Sequence, residues 1–149
     1  MKKKFQKTYQ DHGFGFPVTL LNAPMIEIRG EWVPDINQKV LQQRVVEALV
    51  MKQSKLTGNE IHFIRLFAEM TLSQFAERFD VTHPAVFKWE KAKNHVTGMT
   101  WTTEKDIRLF ALEMLEPKDK EFRSVYEMLT DVAVEKPEAI KIDLEKHSA

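Results

Sequence analysis

Residues 70–91 read MTLSQFAERFDVTHPAVFKWEK, and how this stretch folds decides what kind of chain this is. Two helix starts are written into it. Thr71 precedes Gln74 by three residues, the spacing of a capping box, in which each side chain satisfies the other residue's orphan backbone N–H. Thr82 opens a second helix, and Pro84 falls within its first turn, where a missing N–H has no intrahelical partner to lose. Between them Asp80 has to turn the chain sharply, and Asp tolerates the left-handed conformation that such a turn requires. Ala76, Phe79, Val81, Val86 and Trp89 supply apolar contacts to lock the two short helices together. Short helices joined by a tight turn make a helix-turn-helix.

The flanks extend this pattern. Thr57 with Glu60 forms another capping box, and Thr103 with Asp106 a looser one, so the middle of the chain divides into helices expected near 58–70, 72–79, 83–91 and 103–115. Upstream, FPVTLLNAPMIEIRGEWVP at 16–34 predicts a β-hairpin, with VTLL and MIEIR as strands and Asn22-Ala23-Pro24 as the turn. Ile36, Val40, Leu41, Val45, Ala48 and Leu49 recur at helical spacing and predict a helix over 36–51. Beyond Pro117, Phe122, Val125, Tyr126, Leu129, Val132 and Ala133 mark an amphipathic helix over 119–134. AIKIDL at 139–144 alternates like a short edge strand.

Composition excludes several classes. With 43% hydrophobic and 30% charged residues in 149, the chain reads as one globular domain with appendages. It has no cysteine, so disulfides and thiolate metal sites are excluded, in keeping with a cytoplasmic protein. No run approaches the ~18 apolar residues of a membrane span, so no membrane partner is expected. The start, MKKKFQKTYQDHGFG, lacks the apolar run of a secretory signal and is expected to be a flexible basic segment over 1–15. Net charge is zero but unevenly spread. Lys and Arg against Asp and Glu number 7 to 5 over residues 1–51, 9 to 7 over 52–108, and 6 to 10 over 109–149. The five histidines show no i,i+3 or i,i+4 pair, so no metal is expected. No Gly-rich phosphate loop, nucleophile elbow or paired-acid scaffold is present, so neither a cofactor nor enzymatic activity is expected.

Residues 70–91 resemble the helix-turn-helix of the lambda-repressor/Cro (XRE) class. Ala76-Glu77-Arg78-Phe79, Val81-Thr82, Val86 and Trp89-Glu90 fall into its register without a gap. The match covers about 57–115. Residues 17–92, taking in the β-prone region and the 36–51 helix, are similar to the antitoxin group around MqsA/YgiT, which joins a zinc-binding β region to this kind of helix-turn-helix. The chain departs from both: it lacks the zinc cysteines, Leu72 stands where a phosphate-touching glutamine is common, and Ala92 replaces the usual glycine. The loop KNHVTGMTW is also longer than in the XRE class, and 117–149 has no counterpart.

Together these readings predict a mainly α protein: a lambda-repressor-like helix-turn-helix bundle with a small N-terminal β-hairpin and an extra C-terminal helix. Its expected parts are the basic segment 1–15, hairpin plus helix 16–54, the helix-turn-helix domain 55–116, and a C-terminal helix and tail 117–149. The resemblance implies a sequence-specific regulator that binds double-stranded DNA, as a homodimer on a palindromic operator. An antitoxin that neutralises a toxin protein, or a protein-interaction module without DNA binding, remain alternatives. A groove-entering helix reads bases from its N-terminal part. The expected base-facing set is thus Thr82, His83, Pro84, Ala85, Phe87 and Lys88, with Val86 and Trp89 turned inward. Lys91, Lys93, Asn94 and His95 would hold phosphates, joined by Thr71 and Gln74. Glu90 is expected to pair with Arg78 or cap nearby backbone.

Overall fold

The computed structural model describes residues 2–117, 119–129 and 137–145. In chain order its elements are β1 (Lys3–Asp11), β2 (Val18–Ile28), β3 (Glu31–Pro34), α1 (Gln38–Met51), α2 (Gly58–Phe67), α3 (Leu72–Arg78), α4 (His83–Lys91), α5 (Trp101–Met114), α6 (Asp119–Met128) and β4 (Ile140–Asp143). The mainly α bundle is not what forms. The chain is a small α/β fold; the described residues are 47% helical and 23% strand, with four strands in one mixed sheet.

The correction centres on Asn22-Ala23-Pro24, which is not a turn. β2 runs straight through it for 11 residues, and the chain reverses at Arg29-Gly30 instead. Both of those residues are left-handed, at φ 52° and 83°, as a two-residue type I′ hairpin requires. Asn22 is left-handed too, at φ 53°, but it marks a change of strand partner. Val18–Leu21 pair in parallel with β4, whereas Met25–Ile28 pair antiparallel with β3. These two short strands lie end to end along one edge of β2, and β1 occupies the other edge. The Asn22 Nδ2 donates to Asp143 Oδ1 at 3.0 Å, tying the junction to β4. The Pro24 carbonyl accepts from the Asp35 amide at 2.7 Å. Its proton-less nitrogen therefore faces the same edge, at the gap between β3 and β4, where no ladder bond is lost.

Residues 3–11, expected within a loose basic segment, form strand β1. Lys3, Lys4 and Lys7 are exposed there, with Lys4 Nζ 4.3 Å from the Trp32 ring centroid and Lys3 3.6 Å from the Asp35 carboxylate. AIKIDL supplies β4, and Ile140 and Ile142 turn into the core. The expected 119–134 helix is observed over Asp119–Met128, and Val132 and Ala133 lie outside the described residues. Among the described residues no helix is long and apolar enough to cross a membrane.

α1 begins at Gln38, two residues after the expected start, because Asn37 caps it, its Oδ1 accepting from the Val40 amide; the helix buries Leu41, Val45, Val46, Leu49 and Val50. The buried side chains of sheet and helices form one cluster. Thr57 caps the start of α2, and the residue that follows is glycine because of what lies against it and not because of its own dihedrals. A Cβ there would lie 2.3 Å from the Trp89 carbonyl oxygen and 2.8 Å from the Lys93 amide nitrogen. Both are backbone atoms at the end of α4 and cannot swing aside. Gly58→Ala is therefore expected to cost about 1–3 kcal/mol through overpacking, read as a fall in Tm of roughly 3–10 °C. An unchanged melting temperature would show that α4 is not held this tightly.

Residues 52–56, which look like a plain linker, run over a buried polar network. Arg108, fully buried on α5, donates to the carbonyls of Val50 and Ser54 at 3.2 and 2.6 Å and to that of Lys52. It also donates to Glu104 Oε2 through Nη2 at 2.7 Å and Nε at 3.1 Å. The Leu56 amide donates to the same oxygen at 3.1 Å. Beside it Lys52 Nζ donates to both Glu60 oxygens, at 2.7 and 2.9 Å, with both side chains 4% exposed. Burial pushes the Glu104 carboxyl up and the Arg108 guanidinium down from their ordinary values, while their mutual attraction opposes both shifts.

Candidate nucleic-acid interface

α3 and α4 are short, so their ends dominate their energetics. Thr71 Oγ1 accepts from the Gln74 amide at 3.1 Å, and Gln74 Oε1 accepts from the Thr71 amide at 2.9 Å. Thr82 Oγ1 accepts from the Ala85 amide at 3.3 Å, and Pro84 sits in the first turn. The turn between the helices has Asp80 at φ 56°, with the Val81 amide donating back to the Ala76 carbonyl at 3.0 Å. The rings of Phe75 and Phe79 lie 4.7 Å apart, and Phe79 meets Phe110 of α5 edge-on at 5.3 Å. That aromatic contact anchors α3 to α5. Val86 and Trp89 point inward at 0% and 8% exposure.

What remains outside α4 is the surface of interest. Thr82, His83, Pro84, Phe87, Lys88 and Lys91 are exposed, and Lys93 and Asn94 follow in the exposed loop beyond the helix. Ala85 is half-buried, which places its methyl at the rim of that face. Thr71 and Gln74 are exposed at the start of α3. Their capping bonds use oxygen lone pairs only, so the Thr71 and Thr82 hydroxyl protons and the Gln74 amide protons stay available for an outside acceptor. Among the described residues His83, Lys88 and Lys93 have no side-chain hydrogen bond or ion pair. Two members of the expected set are partly engaged. Lys91 Nζ lies 5.2 Å from the Phe87 ring centroid, and Asn94 Oδ1 accepts from Asn59 Nδ2 at 3.1 Å. The second bond leaves the Asn94 amide protons free to donate.

Glu90 does not pair with Arg78. It takes Arg65 from α2 instead, with Nε to Oε2 at 2.6 Å and Nη2 to Oε1 at 3.0 Å, and His62 Nδ1 lies 2.6 Å from Oε1. Arg78 lies 3.8 Å from Asp106 and about 5 Å from the Phe79 and Phe110 rings. The partner differs because Arg65 also donates to the Met70 carbonyl at 2.9 Å, which fixes its fork under the end of α4. Spacing within 70–91 carries no sign of a partner on another helix; the i,i+3 placement of His62 and Arg65 on α2 was the available clue. Backbone bonds complete the clamp. The Gly58 and Asn59 amides donate to the His95 and Lys93 carbonyls at 3.2 and 2.9 Å, so the first turn of α2 is satisfied by the loop after α4.

Burial alone would raise the Glu90 carboxyl, but the hydrogen bonds and positive charges of Arg65 and His62 outweigh it and hold the group below its ordinary 4.5. The linkage has a definite sign. Stability from this cluster is fully present above about pH 4.5 and is lost as pH falls through the lower folded value. Glu90→Gln is expected to cost roughly 2 kcal/mol near neutrality, and thermal melts of the two proteins should converge as pH falls below 4.5 and Glu90 takes up its proton. A cost that stays constant across that window would assign it to packing and not to charge. No family profile, curated protein or solved structure matches the chain.

Proposed function

We propose that this chain is a sequence-specific DNA-binding regulator that inserts the outer face of α4 into the major groove. The observation that carries the reading is that His83, Lys88 and Lys93 stand exposed, with no side-chain partner among the described residues, on and just beyond a helix whose inner face is fixed. His83 and Thr82, at the helix start, are suited to base edges, and Pro84 or Phe87 to a thymine methyl. Lys88, Lys91, Lys93 and Asn94 supply donors for phosphates, as do Thr71 and Gln74 from α3. A single nine-residue helix offers limited contact, so the active species is a homodimer on two half-sites. Selection of bound sequences from random duplex DNA tests this reading, with a palindromic motif as the expected result. No enrichment at low salt would refute it, and sedimentation of the DNA complex as one protomer per duplex would remove the dimer.

A further inference from the structure

Away from α4, the end of α1, the end of α5 and the start of α6 enclose an open groove of about 760 Å³. Its floor is apolar. Val50, Leu112 and Val125 are buried there, and Met51 lies among them at 42% exposure. Its rim is acidic. Glu47, Glu116 and Glu121 are all exposed, and none makes an ion pair among the described residues. Among the described residues Lys120 is the single cation on the wall. A smaller cleft of about 200 Å³ shares Glu47 and Met51 with it, and there Arg44 and Lys141 balance Glu47 and Asp143, so the excess of carboxylates belongs to the larger groove.

We propose that this groove docks a basic amphipathic helix of a partner protein. Such a helix lays apolar side chains at i, i+3 or i+4, and i+7 into an apolar trough, and its flanking Lys or Arg reach the rim. The three carboxylates select that charge and repel a nucleic-acid backbone. A small molecule fits less well, because the groove is open and leaves much of it in water. The inference does not depend on DNA binding by α4.

The test uses the full chain and a fluorescein-labelled helical peptide of leucine and lysine at helical spacing, with a leucine–glutamate peptide as its counterpart. Anisotropy is expected to show the lysine peptide binding at least about tenfold more tightly. Glu47→Lys with Glu121→Lys should abolish that advantage, whereas Glu31→Lys with Glu145→Lys, equally exposed elsewhere, should leave it intact. Amide shifts in the unaltered protein should cluster at Met51, Leu112 and Val125. Equal binding of both peptides, equal loss in the control pair, or shifts centred elsewhere would overturn the proposal. So would self-association of the chain that disappears with Glu47→Lys and Glu121→Lys, because the occupant would then be a second copy.

Discussion

Arg108→Met is expected to lower stability by about 3–5 kcal/mol, the range for removing one partner of a buried ion pair. Tm should fall by roughly 10 °C or more for a chain of this size. Methionine fills much of the same volume, so the loss comes from polarity. Among the described residues Glu104, 1% exposed, would keep only the Leu56 amide as donor, and the carbonyls of Val50, Lys52 and Ser54 would lose the guanidinium. An unpaired buried carboxylate is costlier than the pair it came from. Adding Glu104→Leu should therefore recover at least about half of the loss, a coupling that independent sites would not show. Thermal and denaturant melts of the two single variants and the double variant decide it. An Arg108→Met protein as stable as the parent would mean the guanidinium reaches water in solution, and that the 52–56 segment is held by its apolar neighbours alone.

That network shows why the fold was only partly legible in the sequence. The caps at Thr57, Thr71 and Thr82 were readable because a capping box is chemistry between residues three apart. The fourth, at Thr103, was misplaced. Thr100 caps α5, accepting from the Thr103 amide at 3.3 Å, and two threonines three apart offer the same local signal. Local alternation marked the strand residues of 18–28 and 140–143, but nothing local revealed how they pair. β2 pairs in parallel with β4 across more than a hundred residues, Val18 opposite Ile140, and Asn22-Ala23-Pro24 has the composition of a turn. Only the gap between β3 and β4 lets that composition sit inside a strand. β1 was hidden by its lysines, since an exposed edge strand carries charge where a buried strand carries valine.

The candidate interface divides in the same way. The outer residues of α4 could be assigned from helical spacing once Val86 and Trp89 were turned inward, and the structure leaves His83, Pro84, Phe87, Lys88 and Lys91 exposed as that spacing requires. What spacing could not reach was support from other elements. Glu90 is tied to Arg65 and His62 across 25 and 28 residues, and Asn94 to Asn59 across 35. Gly58 reads as a weak helix residue until the Trp89 carbonyl is found against it. The cationic face is a local property of α4, whereas its rigidity belongs to α2.

If the outer face of α4 meets DNA as proposed, through both phosphates and base edges, its variants should separate the two contributions. Replacing Lys88, Lys91 and Lys93 together with alanine is expected to weaken DNA binding about 100-fold at roughly physiological salt. It should also flatten the slope of log K against log salt by up to about 2.7, near 0.9 for each phosphate left without its lysine. Lys91 has to leave the Phe87 ring to take part, so its share can fall short of that figure. His83→Ala should behave differently, costing about 1–3 kcal/mol on the selected sequence and relaxing preference at one base while leaving the slope nearly unchanged. Lys39→Ala with Lys141→Ala removes exposed charge far from α4 in sequence and should change neither quantity. The lysine variant has no buried side chain to lose, so its melting temperature should match the parent and any loss of binding belongs to the surface itself. If the slope survives all three alanines, phosphates are gripped by another part of the chain, and α4 is a structural helix with a cationic exterior.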